Sequence, residues 1–226
     1  MVPARIRSTI ARVGARVDRS RSHARVRRFR RRARWLALWR GAHVELDIAP
    51  TAEISRSVRL EIWRGTTTRV AIGERSRVGD EVKLSLRGGS MTVGANTDIR
   101  RLGTYHVGGE LTIGSGVVLS TGLHLHCAER VRVGDLTIIG EYSTIADSRH
   151  LRTPAGVPIH HATATAPVDI GENIWMGAHV VIAGGTVVGD LAFVAAGAVV
   201  TRDVRPRWLV AGVPAREIRE LADEVD

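Results

Sequence analysis

Residues 170 to 189 read IGENIWMGAHVVIAGGTVVG, and within them Ile170, Met176, Ile182 and Val188 fall six apart every time. An amphipathic helix repeats at about 3.6 residues and a half-buried strand at about 2, so neither explains the interval. The beat continues through Val194 and Val200, and separate upstream runs keep it: Ile48, Ile54, Leu60; Ile72, Val78, Leu84; Ile113, Leu119, Leu125; Val133, Ile139, Ile145. Gly often follows the aliphatic, as at Gly73, Gly134 and Gly189, and a small or β-branched residue stands two before it, as at Val168, Ile174 and Ala192. A fixed internal repeat takes precedence over local propensity. It predicts a coil with flat sides, in which short strands are joined by tight corners that favour Gly, Asn and Asp. If three sides make one coil the period is eighteen, Met176 stacks on Val194, Ile182 stacks on Val200, and coils lie ~4.8 Å apart. One aliphatic per side fills a narrow prism that no single repeat can bury alone, and residues 43 to 204 suffice for roughly seven or eight coils. A sandwich of short strands would alternate at period two and lose the six-residue phase.

The rest of the composition suits a thin prism: aromatics are 4% of the 226 residues and there are 24 glycines. Cys127 is the only cysteine, so no intrachain disulfide forms, and packing is its expected role. The net charge of +10 is concentrated at one end. Residues 1 to 40 hold fourteen Arg and a single acid, Asp18, while the remaining chain carries 19 basic against 22 acidic residues. The division expected is a basic extension, helical or disordered, over 1–42; the coil domain over 43–204, with an active-site loop at 147–167; and a C-terminal turn and helix over 205–226, with Ile218, Leu221 and Val225 at helical spacing. The longest apolar run of the extension, WLALW at 35 to 39, is short of a secretion signal. No stretch is long enough to span a bilayer, and the expected location is cytoplasmic. Ile6, Ile10, Val13 and Val17 also fall at helical spacing among arginines. Three readings fit this segment: a basic amphipathic helix lying on an anionic membrane surface with Trp35 and Trp39 as anchors, a solvated tail, or an arm for nucleic acid. No recognition motif accompanies the last.

The run IGENIWMGAHVVIAGGTVVGDLAFVAAGAVVTRDV, followed by AGVPAREIRE, resembles the hexapeptide-repeat acyltransferases, and within them the maltose/galactoside O-acetyltransferase and xenobiotic acetyltransferase group. The close match covers about 131 to 220 and the looser hexad match reaches back to about 44. The resemblance implies an all-β fold, a left-handed parallel β-helix. It also implies a homotrimer with sites between adjacent prisms, and acetyl-CoA as donor, with no metal. The group's catalytic histidine stands five residues after an inward aliphatic, just before a loop that breaks the hexads. His150 stands so after Ile145. A histidine with pKa near 6.5 can take a proton from an acceptor hydroxyl at neutral pH. Without the repeat around it, His150 would read as an ordinary loop histidine.

On the donor side, Ala178 and Ala196 are eighteen apart, as are Gly177 and Ala195, so small residues stack and leave a groove for an extended pantetheine arm. The resemblance assigns CoA binding to Ala178 and Ala196, to the Thr-Lys/Arg pair at Thr201 and Arg202, and to Arg216 and Arg219. Arginine forks suit phosphate, although each arginine alone would read as surface charge. Trp175 either flanks the donor cleft or covers the outer face of the prism. The acceptor side departs from the group: Ser120 and Ala128 stand where it carries Asn and Asp. His124 and His126 flank the inward Leu125 and point outward, either replacing those groups or serving as surface histidines. The resulting expectation is an acetyl-CoA-dependent O-acetyltransferase acting on a sugar, glycan or glycolipid hydroxyl. Two alternatives remain: a metal-binding β-helix like the γ-class carbonic anhydrases, which need a His-x4-His pair that these nine histidines lack, and a non-catalytic scaffold.

Overall fold

A computed structural model describes residues 19–222, and among them the chain is a parallel β-solenoid with one helix. Three faces form a prism. The first runs from His43–Ile48 up to Val187–Val188, the second from Glu53–Ile54 up to Trp208–Ala211, and the third from Arg59–Ile62 up to Val199–Val200. Every pairing within these stacks is parallel, with each strand bonded to the one a coil earlier and a coil later. The inward aliphatics fill the interior. Ile48, Ile54, Ile99, Leu119, Leu125, Ile139, Ile145, Met176, Ile182 and Val194 are all buried.

The eighteen-residue period holds for the last coils, where Ile170 pairs with Val188, Met176 with Val194 and Ile182 with Val200. Upstream the coils are longer. Leu111 pairs with Val131, Leu119 with Ile139 and Leu125 with Ile145, a spacing of twenty; Leu60 pairs with Leu84, a spacing of twenty-four. All of the extra length lies at the corner between the third and first faces. The step across each of the other two corners is six in every coil: Ile72 to Val78 to Leu84, Ile113 to Leu119 to Leu125. The hexad runs therefore look separate in sequence while the prism is continuous. A further coil belongs to the same series, with Val93, Ile99 and Tyr105 inward. Tyr105 replaces an aliphatic there, and burial holds its phenol protonated far above the usual range.

The glycines and the corners separate into two roles. Gly177 follows Met176 because a Cβ there would come within 2.6 Å of the Ala196 backbone nitrogen one coil on, so the reason is close stacking rather than left-handed backbone. Left-handed φ falls at other corner positions, and it is adopted by Leu102, Leu136, Tyr142, His179 and Leu191 as well as by Asn96 and Asn173. Gly and Asn thus share the tight corners with larger residues; Gly116, Gly122, Gly185 and Gly197 are also at left-handed φ.

Both ends of the stack are covered. At the first coil lies the helix Arg19–Trp39, which buries Val26, Phe29, Ala33 and Ala37 at helical spacing. Two of its arginines bond to the free edge of that coil: Arg30 Nη2 donates to the Ile48 carbonyl at 2.8 Å and Arg32 Nη1 to the Val58 carbonyl at 2.9 Å. These carbonyls have no strand below to receive from, so the arginines meet an obligatory demand. Over 26–37 the extension is thus part of the core and not a solvated tail. The helical spacing of Ile6, Ile10, Val13 and Val17 lies outside the described residues.

The C-terminal helix expected over 205–226 is not formed among the described residues, 205–222. Trp208–Ala211 makes one more strand on the second face, pairing with Phe193–Val194, and Arg216–Glu220 turns back as a strand antiparallel to it. The top coil presents unpaired backbone groups, and a strand satisfies them where a helix would not. Ile218, counted toward a helical stripe, is exposed on that strand; Val225 lies outside the described residues.

Candidate functional site

The stack is interrupted once by a long excursion. The strand Thr144–Ala146 ends at Asp147, and the next strand of the prism starts at Val168. Between them Ser148–Arg152 and Pro158–Thr165 form an antiparallel hairpin in which His150 pairs with Thr163. His150 is exposed, and its side chain makes no hydrogen bond or ion pair among the described residues. Its imidazole is open to solvent rather than committed to the fold.

Asp147, at the base of the hairpin, is fully buried. Its carboxylate accepts from the backbone N–H groups of Ala128, Glu129 and Arg130 at 2.7 to 3.0 Å, and its own carbonyl accepts from Ala166 N–H at 2.8 Å. One residue therefore ties the corner of the preceding coil, through its side chain, and the returning leg of the hairpin, through its backbone carbonyl, to the hairpin's base. Its sequence signal was slight, an acid three residues before a histidine.

The expected donor residues occupy three places. Gly177 and Ala178 follow Trp175–Met176, and Ala195 and Ala196 follow Phe193–Val194, so all four line one corner, between the second and third faces, on successive coils. They are partly to fully exposed, and Gly197 N–H bonds to the Ala178 carbonyl at 2.9 Å across the step. Trp175 stands outward below that corner, 59% exposed, with its ring edge-on to Phe193 at 4.8 Å. Thr201 and Arg202 follow Val199–Val200 at a different corner, and Arg216 and Arg219 lie on the final strand at the rim of the second face. All four are exposed, and within one chain the pair Thr201 and Arg202 and the pair Arg216 and Arg219 occupy separate elements.

On the acceptor side Ser120 is buried at a corner, with its backbone N–H on the Ile139 carbonyl, so its hydroxyl is not presented on the open face. His124 and His126 do stand outward on the third face. They are joined by His106, which is the register partner of His126 on the preceding strand. The His106 and His126 rings stack at 4.4 Å, and His124 lies 4.6 Å from His126. Burial, with neighbouring imidazoles and Arg87, pushes His106 down to about 4 and lowers His126. Sequence reasoning missed His106 because the coil there is twenty residues, not eighteen. Cys127 is buried and inward, and burial pushes its thiol up to about 12, which fits packing and not nucleophilic chemistry.

Known proteins share parts of this chain's sequence and its fold. No protein-family model matches it. A galactoside O-acetyltransferase of Escherichia coli (strain K12) is 33% identical over 138 residues, 58% of this chain and 64% of that relative. The chain is similar to the hexapeptide-repeat acetyltransferases. It spans less than two thirds of the relative's length, and further relatives from Staphylococcus aureus and Schizosaccharomyces pombe are matched over 30% and 28% of theirs. Among solved structures, the polySia specific acetyltransferase NeuO aligns with a TM-score of 0.56 at 18% identity, covering 81% of this chain and 89% of that one. AntD, an N-acyltransferase from Bacillus cereus solved with dTDP and coenzyme A, aligns at 0.51 and 17% identity, covering 80% and 84%. These two likenesses concern the fold, which is the parallel solenoid described above.

Proposed function

We propose that this chain is an acetyl-CoA-dependent O-acetyltransferase, working as a homotrimer of left-handed β-helices on a hydroxyl of a sugar, glycan or glycolipid. The observation that carries the reading is the single long break in the coils, where a buried carboxylate anchors a hairpin that presents His150 unpartnered. The galactoside O-acetyltransferase name of the relative supports a sugar acceptor. His150 takes the proton of the acceptor hydroxyl as general base. The oxygen attacks the thioester carbonyl, the C–S bond breaks, and the imidazolium returns the proton to the CoA thiolate. The small corner at Gly177, Ala178, Ala195 and Ala196 receives the pantetheine arm beside Trp175, while Thr201, Arg202, Arg216 and Arg219 receive the phosphates.

Assembly follows from the layout. The hairpin leaves from one corner of the prism and the small-residue ladder lies at another, so one prism gives the donor an open groove with a single wall. A neighbouring copy supplies the second wall, and closed cyclic symmetry repeats that contact without leaving an unpaired surface. We place the protein in the cytoplasm, peripheral to a membrane. No helix among the described residues is long and apolar enough to cross one. The docked helix, however, turns Trp35, Leu38 and Trp39 outward at 63%, 82% and 68% exposure, beside exposed Arg27, Arg28, Arg31 and Arg34. A cationic face with interfacial aromatics suits an anionic lipid surface.

An acceptor screen with acetyl-CoA and a thiol-release readout tests the reaction, with monosaccharides, glycans and lipid-linked sugars as candidates. Acceptor-dependent release, together with a CoA-induced rise in melting temperature, is the expected result. A chain that CoA does not stabilise is no acetyl-CoA enzyme. Sedimentation at assay concentration tests the assembly, and a fully active monomer would refute the shared site.

A further inference from the structure

The proposed mechanism leaves the three-histidine cluster on the third face without a task. Its ligating nitrogens all lie within 4.8 Å of one another, which at first suggests a divalent metal. The surrounding charges argue otherwise. Arg87 Nη2 lies 3.1 Å from His106 Nδ1. A guanidinium only donates, so the Nδ1 lone pair is occupied and the ring proton is on Nε2. A metal at Nδ1 would have to displace Arg87 and then sit beside its charge and that of Lys83. The two nearby carboxylates are already engaged: Glu61 by Lys83 at 2.9 Å and by Ser85, and Asp147 by three backbone N–H groups.

Arg87 has no carboxylate partner among the described residues, and it is held in place. Its guanidinium lies 4.5 Å over the ring of Trp63, itself half exposed, and its Nε is 3.4 Å from the Ser85 hydroxyl. Burial first, and then the gathering of basic groups, resists protonation, which is the direction found at His106 and His126. The missing partner is an anion. A planar fork already fixed by a ring and a histidine loses little freedom on gripping an oxyanion. The location also fits. His126 pairs with Ala146, four residues before His150, so the cluster lies one coil from the base of the hairpin.

We infer that Arg87, with His106, His124 and His126, binds the anionic group, a carboxylate or a phosphate, of an acidic sugar acceptor. The inference rests on the acetyltransferase reading for the word acceptor, but the site itself stands on the cluster. Anion binding neutralises the local charge, so the imidazoles gain protons as the ligand arrives.

The test uses the full chain with isotopically labelled histidine, followed by NMR at pH 6.5, with glucuronate and glucose 6-phosphate as anionic probes and glucose as the neutral one. The His106 and His126 resonances are expected to move toward the protonated form with an anionic probe and to stay with glucose; the stronger of the two anions identifies the group. Arg87→Gln, an exposed change, should weaken the anion at least tenfold while leaving the CoA-induced stabilisation intact. Glucose moving the same resonances as strongly as glucuronate would overturn the inference. So would anions that leave all three imidazoles unmoved, or Zn²⁺ binding at the cluster that Arg87→Gln does not strengthen. Anion binding with no thiol release from any acceptor keeps this site and removes the transferase reading. Turnover of neutral acceptors with no imidazole response does the reverse.

Discussion

Replacing Asp147 by Ala should loosen the protein at one defined place. The carboxylate accepts three backbone N–H bonds, from Ala128, Glu129 and Arg130, and is itself fully buried. A hydrogen bond to a charged group contributes about 1.5 to 3 kcal/mol. The three do not sum, for two reasons. Alanine also removes the cost of burying a charge, and residues 128 to 130 are exposed, so water can reach the freed N–H groups. A net loss of about 3 kcal/mol is the balance of these effects. Asp147→Asn keeps one acceptor oxygen in place and should lose roughly 1 to 1.5 kcal/mol. The assay is denaturant unfolding at one fixed protomer concentration, since association adds to apparent stability, combined with hydrogen exchange. The amides of 128 to 130 should exchange on the order of 100-fold faster in the Ala variant, the factor that 3 kcal/mol represents. Transfer should fall as well, because the hairpin carrying His150 loses its anchor, while CoA affinity stays near wild type. An Ala variant within about 0.5 kcal/mol of wild type, with unchanged exchange at 128 to 130, would refute the account of Asp147 as the anchor.

Other outcomes follow from the same structure. His150→Ala should leave folding and CoA binding intact and lower transfer by roughly 10²- to 10⁴-fold; full activity in a folded variant removes His150 from the reaction. Arg202, Arg216 and Arg219 changed together to Ala should weaken CoA far more than a pantetheine analogue lacking the nucleotide phosphates, and equal losses would mean they do not read phosphate. His106 has a folded pKa of about 4 against 6.5 for the free imidazole, and His126 is lowered too. The folded state therefore stays neutral where the unfolded chain takes up protons. Stability should be full above pH 6.5 and decline as pH falls toward 4, before the lowered carboxylates Glu61 and Asp80 begin to contribute. Denaturation midpoints measured from pH 7.5 to 5 should flatten in His106→Gln.

The inward aliphatics and the stacking of Met176 on Val194 were legible because hexad spacing records a purely local constraint, one side chain per face. The terminal elements were not, because each answers a demand that only the finished stack creates. The sequence AREIRE is ambiguous between helix and strand until the open edge of Trp208–Ala211 needs a partner. Likewise the arginines at 30 and 32 read as solvated charge until the carbonyls of Ile48 and Val58 are left free beneath the first coil. The place of His150 at the break in the coils was visible from its offset after Ile145, whereas the juxtaposition of His106 with His126 required the true coil length. That length depends on corner residues such as Gly108 and Gly109, which carry no inward side chain to count.

The corner between the third and first faces has a consequence for how such a chain can diverge. Two corners of every coil are invariant in step, because shifting either by one residue would turn the following inward side chain outward. At the remaining corner the chain adds a few residues between Leu84 and Val93, two beyond the hexad between Leu125 and Val133, and a whole hairpin between Ile145 and Ile170, yet the next strand is always recovered in phase. Insertions and deletions are thus confined to one longitudinal seam of the prism. Along that seam lie the His150 hairpin and the ends of the strands bearing His106 and His126. New recognition surfaces can be written there segment by segment, each above a coil that need not change, so the scaffold separates the part that varies from the part that must not.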